Sequence, residues 1–234
     1  MVLLGTFVNG ACILVGGLLG LLFTKIPDRV KETVMQAIAL TVMLIGLQMA
    51  FKTDEIIVVL LSLLSGAFIG EAIQLEAGIN RFGGWIESKF TTQKKEISVA
   101  QGFITASLIF VVGAMAIVGS LDSGLRGDHE ILITKGLLDG FAALVFTSMM
   151  GYGVILSVIP VVLYEGAIAL LATQIQHFVP ASFLDGLIVQ MTAVGGLIIV
   201  AIGLNLLNLM KIRIGNLLPS LITVVLVYYI YHLF

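Results

Sequence analysis

Eight apolar runs, each near the roughly 20 residues a helix needs to cross the hydrocarbon core of a bilayer, dominate this chain and leave little from which to build a polar, water-facing surface. Their approximate bounds are 3–23, 33–51, 55–73, 99–120, 131–150, 153–174, 184–208 and 213–232. Only 11% of the 234 residues are charged, against about 25% in soluble domains. The chain is therefore expected to be all-α and polytopic, with about eight transmembrane helices in a single domain over 1–234. Gly151, Tyr152 and Gly153 lie at the join of the fifth and sixth runs. Those runs are together too long for one crossing, and two glycines permit a tight turn between them.

Charge placement sets an expected orientation. With the N-terminus outside, nine of the twelve lysines and arginines fall on the cytoplasmic side and only Lys52, Arg126 and Lys135 outside, as the positive-inside bias requires. Both termini are then expected outside. The start MVLLGTFVNGACILVGGLLGLLF lacks the basic region and small-residue cleavage site of a secretory signal, so it reads as a retained first span. The polar segment 74–98 spaces Ile79, Phe82, Ile86 and Phe90 at helical intervals with Trp85 among them. It reads either as a cytoplasmic amphipathic helix on the inner leaflet or as a continuation of the third helix.

The net charge of −2 and the scattered charges give no reason to expect a nucleic-acid partner. The bilayer and a small solute or ion are the expected partners. Cys12 is the only cysteine, which excludes an intrachain disulfide and a cysteine metal site. His129, His177 and His232 are scattered, so no metal site is expected. Hydrolase, phosphate-loop and HExxH motifs are absent, and no cofactor is expected.

Two segments resemble each other. VMQAIALTVMLIGLQ (34–48) and IVQMTAVGGLIIVAIGLN (188–205) both begin near a glutamine and end in Ile-Gly-Leu and an amide. The match pairs Gln36 with Gln190 and Gln48 with Asn205 if three residues are inserted. By extension helices one to three correspond to helices six to eight, an inverted 3+3 repeat over 1–73 and 153–232 flanking a central helix pair.

Asp139 and Glu165 stand inside apolar runs, where an ionised group costs roughly 2.5–3.5 kcal/mol to insert. The functional reading is a proton- or cation-linked site. The structural reading pairs Asp139 with Lys135 one turn away or leaves it at the interface. Glu165 is expected to lack a lysine or arginine partner, because Lys135 lies near the outer end of its span. Asn9, Gln36, Gln190, Asn205, Thr147 and Ser148 are the uncharged candidates for a pathway, and Gln36 with Gln190 for a shared cavity. The competing role for each is a helix-joining hydrogen bond worth about 1 kcal/mol. Pro160, five residues before Glu165, suggests a kink whose freed carbonyl can serve a cation. Two GxxxG motifs, Gly16 with Gly20 and Gly66 with Gly70, point first to packing inside the bundle and second to a homodimer.

The GTFVNG start with its GGLLG, the KGLLDGFAALVF segment and the GLNLLNLMKIRIGNLLPSL ending resemble the YdfK/YqgA-like bacterial inner-membrane proteins over essentially the whole chain. The resemblance implies a polytopic protein of the bacterial plasma membrane, in a family of unknown function with no assigned substrate. The expected function is coupled transport of a small solute or ion. Glu165 and Asp139 would bind the coupling cation, and Asn9, Gln36, Gln190 and Asn205 would supply neutral ligands. The alternative is a structural or regulatory membrane protein. An intramembrane enzyme is less favoured: Asp139 and Glu165 can form an acid pair, but no other feature supports catalysis.

Overall fold

A computed structural model of the chain describes residues 1–22, 28–81, 99–112 and 114–233. Every regular element among them is helical: α1 (Leu4–Leu22), α2 (Asp28–Ala50), α3 (Ile56–Ile73), α4 (Val99–Val111), α5 (Ala114–Arg126), α6 (Glu130–Met150), a 3-10 turn (Tyr152–Ser157), α7 (Val158–Phe178), α8 (Ala181–Leu206), α9 (Ile214–Leu217) and α10 (Ser220–Tyr231). Among the described residues seven helical segments are long and apolar enough to cross a membrane, or eight if α4 and α5, bent by 59°, form one span. Leu137, Phe141 and Leu163 are largely exposed, which suits hydrocarbon and would be a liability in water. Residues 75–81 are helical beyond a left-handed Gln74 at φ 51°. The rest of the amphipathic segment, with Phe82, Trp85, Ile86 and Phe90, lies outside the described residues.

Two local expectations are corrected. The fourth run was expected to end near residue 120, yet helix continues to Arg126. Its polar groups are satisfied in place: Ser120 Oγ donates to Ala116 O at 2.6 Å, Ser123 Oγ donates to Val2 O at 2.7 Å, and Arg126 pairs with Asp122 at 3.4 Å. Pro160 makes no kink beside Glu165, because it is the third residue of α7, where a helix N–H has no intrahelical partner to lose. The α6–α7 join falls at Gly151, whose φ of 80° suits a residue without a Cβ.

The chain divides into two compact units. The first comprises 1–26 and 83–181 and contains α1, α4, α5, α6 and α7. Gly5 lies against Leu132, Gly136 against Asn9, Gly16 against Gly140 and Gly20 against Leu144. Numbers rise together along both helices, so α1 runs parallel to α6 at backbone contact. Gly10 meets Val162, Gly17 meets Ile155 and Gly166 meets Thr6, so α1 runs antiparallel to α7. Each added Cβ at these places would meet backbone or side chain, which is why α1 is so rich in glycine.

The second unit comprises 27–82 and 182–234. There Gly46 lies against Gly196 and Val200, and Gly203 against Ala39 and Met43, so α2 and α8 are antiparallel. Gly66 lies against Ser220 and Gly70 against Asn216, so α3 is antiparallel to α9 and α10. Thr223 Oγ1 donates to Ser62 O at 2.9 Å along this seam. Both GxxxG motifs are thus used within the chain.

Candidate functional site

The first unit gathers Asn9, Lys135, Asp139 and Glu165. Gly136 allows α6 to approach Asn9 so closely that a Cβ there would stand 2.8 Å from Asn9 Cα. This contact sets Asn9 against the face of α6 that carries Lys135 and Asp139. From the other side α7 presents Glu165. Asn9 Nδ2 donates to Glu165 Oε1 at 2.7 Å, Lys135 Nζ lies 3.2 Å from the same oxygen, and Lys135 also pairs with Asp139 Oδ2. Asn9 and Glu165 are 0% exposed and Lys135 6%. Glu165 Oε2 and Asn9 Oδ1 have no hydrogen-bond partner among the described residues.

Glu165 therefore has a basic partner, contrary to the expectation from sequence. Lys135 lies near the outer end of its span only when counted from the preceding loop. Measured from the turn at Gly151, Lys135 lies sixteen residues before it and Glu165 fourteen after. Because α6 is parallel and α7 antiparallel to α1, equal distances from that turn bring the two side chains to one level. Asp139 forms the expected pair with Lys135, but neither lies at a water interface, since their side chains are only 13% and 8% exposed.

The remaining candidates do not join this cluster. Thr147 is fully buried in the same unit against Gly17 and Gly20 of α1, two turns beyond Asp139, and its Oγ1 has no partner. Ser148 bonds back to Val145 O at 2.7 Å. In the second unit Gln190 accepts from Thr53 Oγ1 and donates to Glu55 Oε2, each at 2.8 Å. Asn205 exchanges two hydrogen bonds with the Ile212 backbone, at 2.7 and 2.8 Å, closing the 206–212 loop. Gln36 is exposed. The α2–α8 register puts Gln36 toward the Leu206 end and Gln190 toward Thr53, so the two glutamines line no shared cavity. Antiparallel helices carry matched residues to opposite ends, a consequence of the inverted match that works against a shared cavity for the two glutamines. Among the described residues no group of three or more histidine, cysteine or acidic side chains is placed to hold a metal.

From sequence Lys135 is set aside as a partner of Glu165, and Thr53 and Glu55, at the start of the third apolar run, carry no signal of a contact with Gln190. The signal for Lys135 was available in the residue count around Gly151.

The family described as Protein of unknown function (DUF554) matches residues 4–229. The chain belongs to this family. It is 30% identical to the "Uncharacterized membrane protein YdfK" of Bacillus subtilis (strain 168), over 98% of this chain and 97% of that protein. It is also 30% identical to the "Uncharacterized protein YqgA" of Escherichia coli (strain K12), over 94% and 93%. No solved structure matches. With its apolar helices, this membership makes the DUF554 chain a multi-pass membrane protein.

Proposed function

We propose that this protein transports a small solute or ion across the bacterial inner membrane, coupled to a proton or cation through Asn9, Lys135, Asp139 and Glu165, and that it is not an enzyme. The observation that carries the reading is the Glu165 carboxyl group: fully buried, one oxygen bonded to Asn9 and facing Lys135, the other without a donor. Two carboxylates share one ammonium, so the ionised cluster holds one negative charge in excess. A helix-joining strut gains nothing from an excess charge in hydrocarbon. A coupling site needs one, because a single proton or cation then completes its balance.

The helix pairing lends further support. Repeat-built transporters relate their halves by a two-fold axis in the membrane plane and place their sites where the repeats meet. Here α1 with α7, α2 with α8, and α3 with α10 each run antiparallel. In the second unit the contacts are reciprocal: a Cβ on Gly46 meets Gly196 O, Val200 N and Val200 Cγ2, and one on Gly203 meets Ala39 O, Met43 N and Met43 Cγ. Pairing Gly46 with Gly203 turns one set into the other. In the first unit Asn9, Gly10 and Ala11 match Glu165, Gly166 and Ala167. Gly10 meets Val162 and Gly166 meets Thr6, partners under the same 156-residue shift that separates Asn9 from Glu165. An inverted 3+3 repeat accounts for all of these pairings.

The competing reading is a structural or regulatory protein whose polar cluster only joins helices, and Lys135 bridging both carboxylates favours it. Purified protein in vesicles on a solid-supported electrode separates the two. Coupled transport predicts a charge movement after a pH or cation jump in the wild type and its loss in Glu165→Gln. An electrically silent wild type that carries no flux would favour the structural role.

A further inference from the structure

Two buried oxygens at the centre of the site lack partners, and they belong to side chains already bonded to each other. Asn9 Nδ2 donates to Glu165 Oε1 at 2.7 Å, Lys135 Nζ stands 3.2 Å from that same oxygen, and among the described residues Asn9 Oδ1 and Glu165 Oε2 accept from none. Leaving a buried acceptor unpaired is destabilising, and more so when it is charged. One hydrogen satisfies both. A carboxylic acid and a primary amide can close a ring of two hydrogen bonds, the acid O–H donating to the amide oxygen and the amide N–H donating to the acid carbonyl.

We infer that the site holds a single proton on Glu165 Oε2, donated to Asn9 Oδ1, so that Asn9 and Glu165 form a neutral acid–amide pair while Lys135 neutralises Asp139. The inference builds on the reading of this cluster as a coupling site and names its ligand. Binding moves a proton from a hydronium ion to Glu165 Oε2, breaking one O–H bond as another forms and leaving water, and the cluster's charge goes from one negative to zero. Release restores the carboxylate and leaves Lys135 shared between two acids.

The surroundings agree with this assignment. The groups facing Glu165 are Asn9 from α1 and Lys135 with Asp139 from α6. Tyr164 precedes it on its own helix. Of the other helices packed on α7, α4 carries no ionisable side chain, and α5 carries Asp122 and Arg126, paired with each other. A metal cation is a poorer fit, because the Lys135 ammonium already stands at Oε1 and would repel a second positive charge held by the same carboxylate. Asn9 and Glu165 are also counterparts under the 156-residue shift. An acid–amide ring is close to two-fold, differing only by one nitrogen in place of oxygen, and these two side chains meet between α1 and α7.

Infrared spectroscopy of the whole protein in lipid vesicles at neutral pH, in H2O and D2O, tests the inference. The expected result is a protonated carboxylic carbonyl band that shifts in D2O and disappears in Glu165→Gln. The band should persist in Asp139→Asn and move to higher frequency in Asn9→Leu, which removes the amide partner. Should Glu165→Gln fail to fold, the Asn9→Leu shift carries the assignment. Absence of the band, its loss in Asp139→Asn instead, or its appearance only when sodium is withdrawn would overturn the proton site. The two readings separate cleanly: the band without flux leaves the proton site standing and removes transport, whereas Glu165-dependent flux without the band does the reverse.

Discussion

At the scale of single residues, Lys135 governs the cluster. It is nearly buried and pairs with two acids from two helices, and removing one member of a buried ionic pair leaves an uncompensated charge. Lys135→Met is therefore expected to destabilise the protein by about 3–5 kcal/mol, read as a lowered unfolding midpoint in detergent. Lys135→Met with Asp139→Asn should recover much of that loss, since the stranded charge is gone; additive destabilisation would show that the pair is not the cause. Asn9, Asp139 and Glu165 were legible in the sequence because polar groups inside apolar runs are costly and hence conspicuous. Gln190 and Asn205 were equally conspicuous, but hydrogen bonds to Thr53, Glu55 and the Ile212 backbone occupy them. No sequence pattern distinguishes an amide used locally from one facing a ligand.

At the scale of elements, the long spans could be read directly, because only helices of about 20 apolar residues satisfy their backbone in lipid. The extension of α5 to Arg126 could not, since Ser120, Asp122 and Ser123 look like loop until their partners are known. Glycine contacts give sharp expectations here. Gly16→Val and Gly70→Val place a branched side chain against the backbone of Gly140 and Asn216 and should sharply reduce the yield of folded protein on size-exclusion chromatography. Gly78→Ala meets nothing within 4 Å and should elute like the wild type. Gly151→Ala, at φ 80°, should cost about 1–3 kcal/mol through backbone strain, visible as a lower melting temperature.

At the scale of the whole molecule, the approximate number of spans was open to sequence, while the division into two units was not. Unit membership depends on which faces meet, and α1 joins residues far downstream of its neighbours α2 and α3. Topology can be tested in a Cys12→Ser background. A cysteine placed in 88–96 is expected to label only from the cytoplasm, and one appended after Phe234 only from outside; labelling of both from one side would overturn the eight-span count, and labelling from exchanged sides would overturn the orientation.

The position of α1 also bears on how the protein is made. Its glycine face and Asn9 are completed by α6 and α7, with 156 residues between Asn9 and Glu165. At translation speeds of about 5–20 residues per second, α1 waits on the order of ten seconds in the membrane before its partners emerge from the ribosome. During that interval its grooved, amide-bearing surface faces lipid or an insertion chaperone, which makes biogenesis the step at which substitutions along α1 should first take effect.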